Sequence, residues 1–108
     1  DTEPFHQAVR ARLSRRGIMA VNLFGRSRGY KTSLERIVRA YDDRALAFPS
    51  CDSGNVVAFG ADGEPITRTV DELRERARVL KSETGLDLGP TVSRLEQSGN
   101  LPGGQLLL

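Results

Sequence analysis

Apolar positions recur along this chain with two periods, and the changes between them mark its elements. Phe5, Ala8, Val9 and Leu13 share one stripe at helical spacing, with Arg10, Arg12 and Arg16 away from its centre. The pattern predicts a helix over Glu3–Arg16, with Thr2 as N-cap, Glu3 and Pro4 in the first turn, and Arg15 and Arg16 before a terminating Gly17. A nearly unbroken apolar run, Gly17-Ile-Met-Ala-Val-Asn-Leu-Phe-Gly25, follows. It reads as a strand over Ile18–Phe24 buried on both faces, of the kind found inside α/β sheets. Only one helix precedes it, so either the sheet begins at what should be its middle or part of it is missing. Gly25 to Lys31 then forms a basic loop.

The second helix is expected to begin near Ser33, its N-cap, and to end around Asp42 and Asp43. Leu34, Ile37, Val38 and Tyr41 supply its buried face. Arg44 to Phe48 and Asn55 to Gly60 read as strands joined by the turn Pro49–Gly54. That turn is too short for a parallel crossover and predicts an antiparallel hairpin. Thr69-Val-Asp-Glu72 is a capping box that opens the longest helix, with Val70, Leu73, Ala77 and Leu80 on its apolar stripe and Gly85 at its end. Gly89-Pro90 opens a shorter helix carrying Val92 and Leu95, closed by Gly99. The last residues, 101–108, give little sign of regular structure and are expected to form a flexible tail with three exposed leucines.

Composition narrows the classes of function. A chain of 108 residues is one domain at most, and 38% hydrophobic with 28% charged residues describes a soluble globular protein. No apolar run approaches the roughly 20 residues of a membrane helix, and the acidic start Asp1-Thr-Glu-Pro4 is unlike a secretory leader, so a cytoplasmic location and no membrane partner are expected. Cys51 is the single cysteine, which excludes an intrachain disulfide. With one Cys and one His, no transition-metal site is expected, and His6 is too distant in sequence to suggest a Cys/His catalytic pair. The net charge is +2, with fourteen Arg against two Lys. That preference identifies no anionic partner by itself, and the Arg-bearing first helix lacks the aromatic interleaving of a nucleic-acid surface.

The strings Arg12-Leu-Ser-Arg-Arg-Gly17, Ile18 to Gly25 and Gly54-Asn-Val-Val-Ala-Phe-Gly60, in this order with a helix between the last two, resemble the C-terminal part of the spermidine synthase family. Leu73-Arg-Glu-Arg-Ala-Arg78 and Thr84-Gly-Leu-Asp-Leu88 look similar to tails of spermidine-synthase-like proteins. The resemblance implies an α/β, partial Rossmann-like methyltransferase fold. It would comprise a three-stranded mixed sheet, its last strand inserted antiparallel between the other two, with flanking helices and extra C-terminal helices. Residues 1–100 would then be the C-terminal half of such a domain. The family transfers an aminopropyl group from decarboxylated S-adenosylmethionine to a polyamine. Its Gly-rich nucleotide loop, its ribose-binding acid and its catalytic aspartate all lie N-terminal to the matching region. No catalytic or cofactor-binding residue is therefore assigned here, Asp1 being too near the terminus. A nucleotide of the S-adenosylmethionine type is implied only for a longer parent, and the chain alone is expected to be inactive.

Four residues are candidates for substrate or anion binding. Arg26, Arg28 and Lys31 could hold an anion at the C-terminal edge of the sheet beside the next helix, where α/β proteins place ligands, or they could form a solvated loop tip. Asn22 interrupts the apolar run and could aim its amide into a cleft, or be a satisfied polar residue at the sheet boundary. The three cations also depart from the family's need, because they repel a diamine where carboxylates or neutral acceptors would hold one. Asp52-Ser-Gly-Asn55 is explained by turn chemistry. Two functions stay open: the C-terminal section of a spermidine-synthase-like enzyme, or a non-catalytic module that self-associates. Both predict association through an exposed strand edge, either as a homo-oligomer or with the missing N-terminal half.

Overall fold

The computed structural model describes residues 2–25, 28–50 and 54–108. They fall into two compact units, Asp1–Pro65 with Leu108, and Ile66–Leu107.

In the first unit, helix α1 (Glu3–Ala11) begins as the sequence predicts: the Thr2 hydroxyl accepts from the Phe5 N–H at 3.1 Å. It stops at Ala11, well before the expected Arg16. The N–H groups of Arg12 and Leu13 turn to the carbonyls three residues back, at 3.0 and 3.1 Å, and Gly17 closes a separate turn onto Ser14. Strand β1 (Ile18–Phe24) follows, then α2 (Tyr30–Ala40). Helix α2 begins three residues before the expected cap, because the Ser33 N–H already donates to the Gly29 carbonyl at 2.8 Å and Ser33 lies inside the helix.

Strands β2 (Ala45–Ala47) and β3 (Asn55–Ala61) form the expected hairpin, and β3 inserts between β1 and β2. The sheet is not mixed in its pairings. Both ladders are antiparallel, since β1 and β2 point the same way but are separated by β3. The register sets Met19 opposite Gly60, Val21 opposite Ala58 and Leu23 opposite Val56 on one face. Met19, Ile37, Ala40, Tyr41 and Ala58 form the core there, with Val9, Leu13, Val21, Leu23 and Leu34 packed around it.

The opposite face corrects the expectation of two-sided burial. Ile18, Ala20, Asn22 and Phe24 of β1 and Val57 of β3 are exposed, because α1 and α2 pack on one side of the sheet only. Among the described residues β1 pairs with β3 alone, so its other edge keeps open N–H and C=O groups.

The second unit is built on helix α3 (Val70–Thr84), capped at both ends as its sequence demands. Thr69 Oγ1 accepts from the Glu72 N–H at 3.1 Å and Glu72 Oε1 accepts from the Thr69 N–H at 3.3 Å, while Gly85 takes the left-handed conformation at φ 78°. Thr69→Ala is expected to cost about 1 kcal/mol and to show first as faster amide exchange in the first turn of α3. Helix α4 (Gly89–Gln97) packs on α3 through Val70, Ala77 and Val92. The chain end is a further correction. Gln105–Leu107 forms strand β5, paired antiparallel with β4 (Thr67–Thr69), and of the three leucines expected to be exposed, Leu106 and Leu108 are buried. A three-residue strand carries too little periodicity to be seen in sequence. No helix among the described residues is long and apolar enough to cross a membrane.

Candidate functional site at the end of strand β1

The candidate site is a cleft of about 290 Å³ in the first unit, lined by Phe5, His6, Val21, Asn22, Leu23, Phe24, Tyr30 and Ser33. Its position follows from the topology. Helix α1 begins beside the C-terminal end of β1, and α2 starts shortly after that strand stops, so the first turns of both helices flank the strand end. In α/β proteins ligands gather at this end of the strands.

The lining combines apolar surface with neutral polar groups. Phe24 is 72% exposed and Phe5 57%, a large exposed aromatic area for two side chains. His6 is 3% exposed, and its ring meets the edge of Phe5 at a centroid distance of 5.3 Å and an interplanar angle of 72°. Burial, reinforced by nearby positive charge that includes Arg36, holds the His6 pKa below its usual range, so the imidazole is neutral at pH 7. Asn22 brings an amide, and Tyr30 and Ser33 bring hydroxyls. No carboxylate lines the cleft among the described residues. Glu3, one turn from Gln7 on α1, is engaged by Arg39 at 3.0 Å.

The structure thus places Asn22 in the cleft wall, while Arg28 and Lys31 are exposed beside it in sequence, Lys31 directly after Tyr30. Arg26, Cys51 and Asp52 lie outside the described residues. Sequence reasoning missed Phe5, His6, Phe24, Tyr30 and Ser33. By spacing Phe5 belongs to the apolar stripe of α1, yet its place in the first turn puts it in the cleft lining. The cap chemistry of Ser33 hides its place one turn along α2 from Tyr30.

A second hollow, about 310 Å³ between α3 and α4, is lined by Arg74, Ala77, Arg78, Lys81, Asp87, Gly89 and Ser93. Its cations already hold carboxylates: Arg74 holds Glu96 at 2.7 Å, Arg78 holds Glu75 at 2.6 Å and Lys81 faces Asp87 at 3.7 Å. The Arg78 hydrogen bond holds the Glu75 pKa below the usual carboxylate range. Such a surface is locally neutralised and makes a poorer anion site than its Arg count suggests.

No protein-family model and no solved structure matches the chain. Among curated proteins, a polyamine aminopropyltransferase of Chromobacterium violaceum is 29% identical over 107 residues, 99% of this chain and 41% of that protein. Polyamine aminopropyltransferases of Neisseria meningitidis serogroups A and B are each 30% identical over 96 residues, 89% of this chain and 36% of theirs. The chain therefore spans about two fifths of the length of the curated relatives it matches. In sequence it is spermidine-synthase-like, similar over nearly its whole length to one part of the polyamine aminopropyltransferases.

Proposed function

We propose that this chain is the C-terminal part of an aminopropyltransferase-like enzyme with a methyltransferase-like, partial Rossmann fold, and that it forms the acceptor-side wall of the substrate pocket at the end of β1. The observation that carries the reading is the similarity to polyamine aminopropyltransferases across 89–99% of the chain. The cleft of neutral polar and aromatic groups at the C-terminal end of β1 supports it. In this reading Asn22, Tyr30 and Ser33 orient an acceptor by hydrogen bonds, and Phe5 and Phe24 exclude water from it. The donor nucleotide would be held by residues outside these 108.

The open edge of β1 and the exposed apolar side of the sheet are then surfaces for the rest of such a fold, or for a second copy of the chain where that is absent. The lone cysteine fits a cytoplasmic setting.

A chimera tests the reading: this chain replaces the matching stretch of the Chromobacterium violaceum protein. The expected chimera is folded and binds decarboxylated S-adenosylmethionine, while the 108-residue chain alone neither binds the donor nor turns it over. A chimera that melts cooperatively but fails to bind the donor overturns the reading, as does aminopropyl transfer by the isolated chain.

A further inference from the structure

Strand β5 is too short for its own ladder to account for it. It pairs with the three residues of β4, Thr67 opposite Leu107, Arg68 opposite Leu106 and Thr69 opposite Gln105. A two-stranded ribbon of this size is marginal in water by itself. It is entered through Gly103 and Gly104, both at positive φ, 61° and 77°, where the Gly104 N–H donates to the Leu101 carbonyl at 3.0 Å. Such a pair turns the chain at little steric cost. Leu106 and Leu108 are nevertheless buried.

The far end is held by Arg44. Leu108 belongs to the first unit, and its main-chain oxygen accepts from Arg44 Nη2 at 3.3 Å. The same guanidinium donates from Nη1 to the Gly63 carbonyl at 2.8 Å and from Nη2 to the Glu64 carbonyl at 3.2 Å. The backbone behind it is fixed as well. The Arg44 N–H donates to the Tyr41 carbonyl at 2.9 Å, and the Arg44 carbonyl accepts from the Ala61 N–H at 3.0 Å. The loop that supplies the two carbonyls is itself clamped: Asp62 takes Arg10 at 2.9 Å, the Glu64 carboxylate lies 3.4 Å from Arg15 Nε, and a Cβ at Gly63 would collide with the Arg15 carbonyl. A guanidinium already aimed by two bonds loses little freedom in making a third.

We infer that residues 105–108 form a strap with Arg44 as its catch. With Leu108 held, the strap closes on β4; with Leu108 released, it peels from β4 about Gly103 and Gly104 and bares Leu106 and Leu108. The device is the local opening of a marginal strand set against one pre-aimed donor, and it rests on contacts within the chain, whatever the β1 cleft binds.

Backbone amide exchange followed by NMR tests it on the 108-residue chain, on Arg44→Gln and on a variant lacking only Leu108. The variant lacking Leu108 keeps Arg44 bonded to Gly63 and Glu64, so it separates the catch from the loop that Arg44 also supports. In both variants the β4 and β5 ladder amides are expected to exchange about fivefold faster. Thermolysin should also cut faster at Leu106 and Leu107. In the variant lacking Leu108, the β1, β3 and α3 amides are expected to keep the parent's rates. Unchanged ladder exchange in that variant overturns the inference. Acceleration spread equally through α3 and α4 overturns it too, because the strap would then open only with the whole second unit. If Arg44→Gln also speeds exchange in β1 and β3, it has loosened the first unit, and the variant lacking Leu108 decides.

Discussion

Gly60→Ala is expected to lower the melting temperature of the first unit by roughly 10 °C. A Cβ at Gly60 would lie 2.8 Å from Cγ and Cδ2 of the Tyr41 ring, closer than carbon atoms approach without displacement. The ring has nowhere to go. Tyr41 is fully buried, in the same cluster as Met19, Ile37, Ala40 and Ala58, and Gly60 sits in the central strand with Met19 opposite on one side and Ala45 on the other. Overpacking of this kind costs about 1–3 kcal/mol, which outweighs the few tenths to 1 kcal/mol that alanine gains over glycine in backbone entropy. The Tyr41 hydroxyl is buried without a hydrogen-bond partner among the described residues, and burial raises its pKa, so the ring is held by shape and not by a polar anchor. Tyr41→Leu should therefore relieve much of the clash when combined with Gly60→Ala, so that the double variant is destabilised by well less than the sum of the two single losses. Thermal unfolding followed by circular dichroism checks both. A single Gly60→Ala variant melting within about 2 °C of the parent would show that the β3–α2 packing is looser than the geometry requires.

Arg10→Ala carries the second large effect, expected at about 2–3 kcal/mol in urea unfolding. From α1, the two terminal nitrogens of Arg10 donate to the Ala40 carbonyl at 3.0 Å, to Asp42 Oδ2 at 2.9 Å and to Asp62 Oδ1 at 2.9 Å. One guanidinium thus ties α1 to the end of α2 and to the residue after β3. Asp42 and Asp43 both have positive φ, 51° and 66°, a conformation costly for residues other than glycine. The Asp43 N–H reaches back to the Val38 carbonyl at 2.9 Å, and Arg10 holds the neighbouring carboxylate. Without the fork the strained turn loses one of its ties and the Ala40 carbonyl loses a charged donor. Arg10→Lys keeps the charge but cannot span three acceptors, so it should recover less than half of the loss. Removal of Arg78, which pairs with the exposed Glu75, should leave the urea midpoint nearly unchanged. If the Arg10 and Arg78 variants unfold at the same urea concentration, the clamp is not a structural tie.

Each expectation that held rests on contacts within a few residues of sequence. The Thr69–Glu72 capping box and the Gly85 stop marked α3 because both ends of a helix are satisfied locally. The short turn after β2 dictated a hairpin because a chain that short can only double back. The same locality explains the misses. Ser33 has cap chemistry, but the packing of α2 on the sheet begins the helix at Tyr30 and puts Ser33 in a cleft wall. The apolar run of β1 reports that each residue can be buried, not which neighbours arrive to bury it, so its exposed face was invisible.

By itself, then, the sequence determined the order of α1, β1, α2, β2, β3, α3 and α4, the caps of α3, the antiparallel hairpin and the likeness to polyamine aminopropyltransferases, since all of these are carried by adjacent residues. Tertiary structure alone decided the β4–β5 pairing, the one-sided burial of β1 and the cleft. Residues 5–6, 21–24, 30 and 33 meet there only because two helices begin at one end of a strand, and no local period records that meeting.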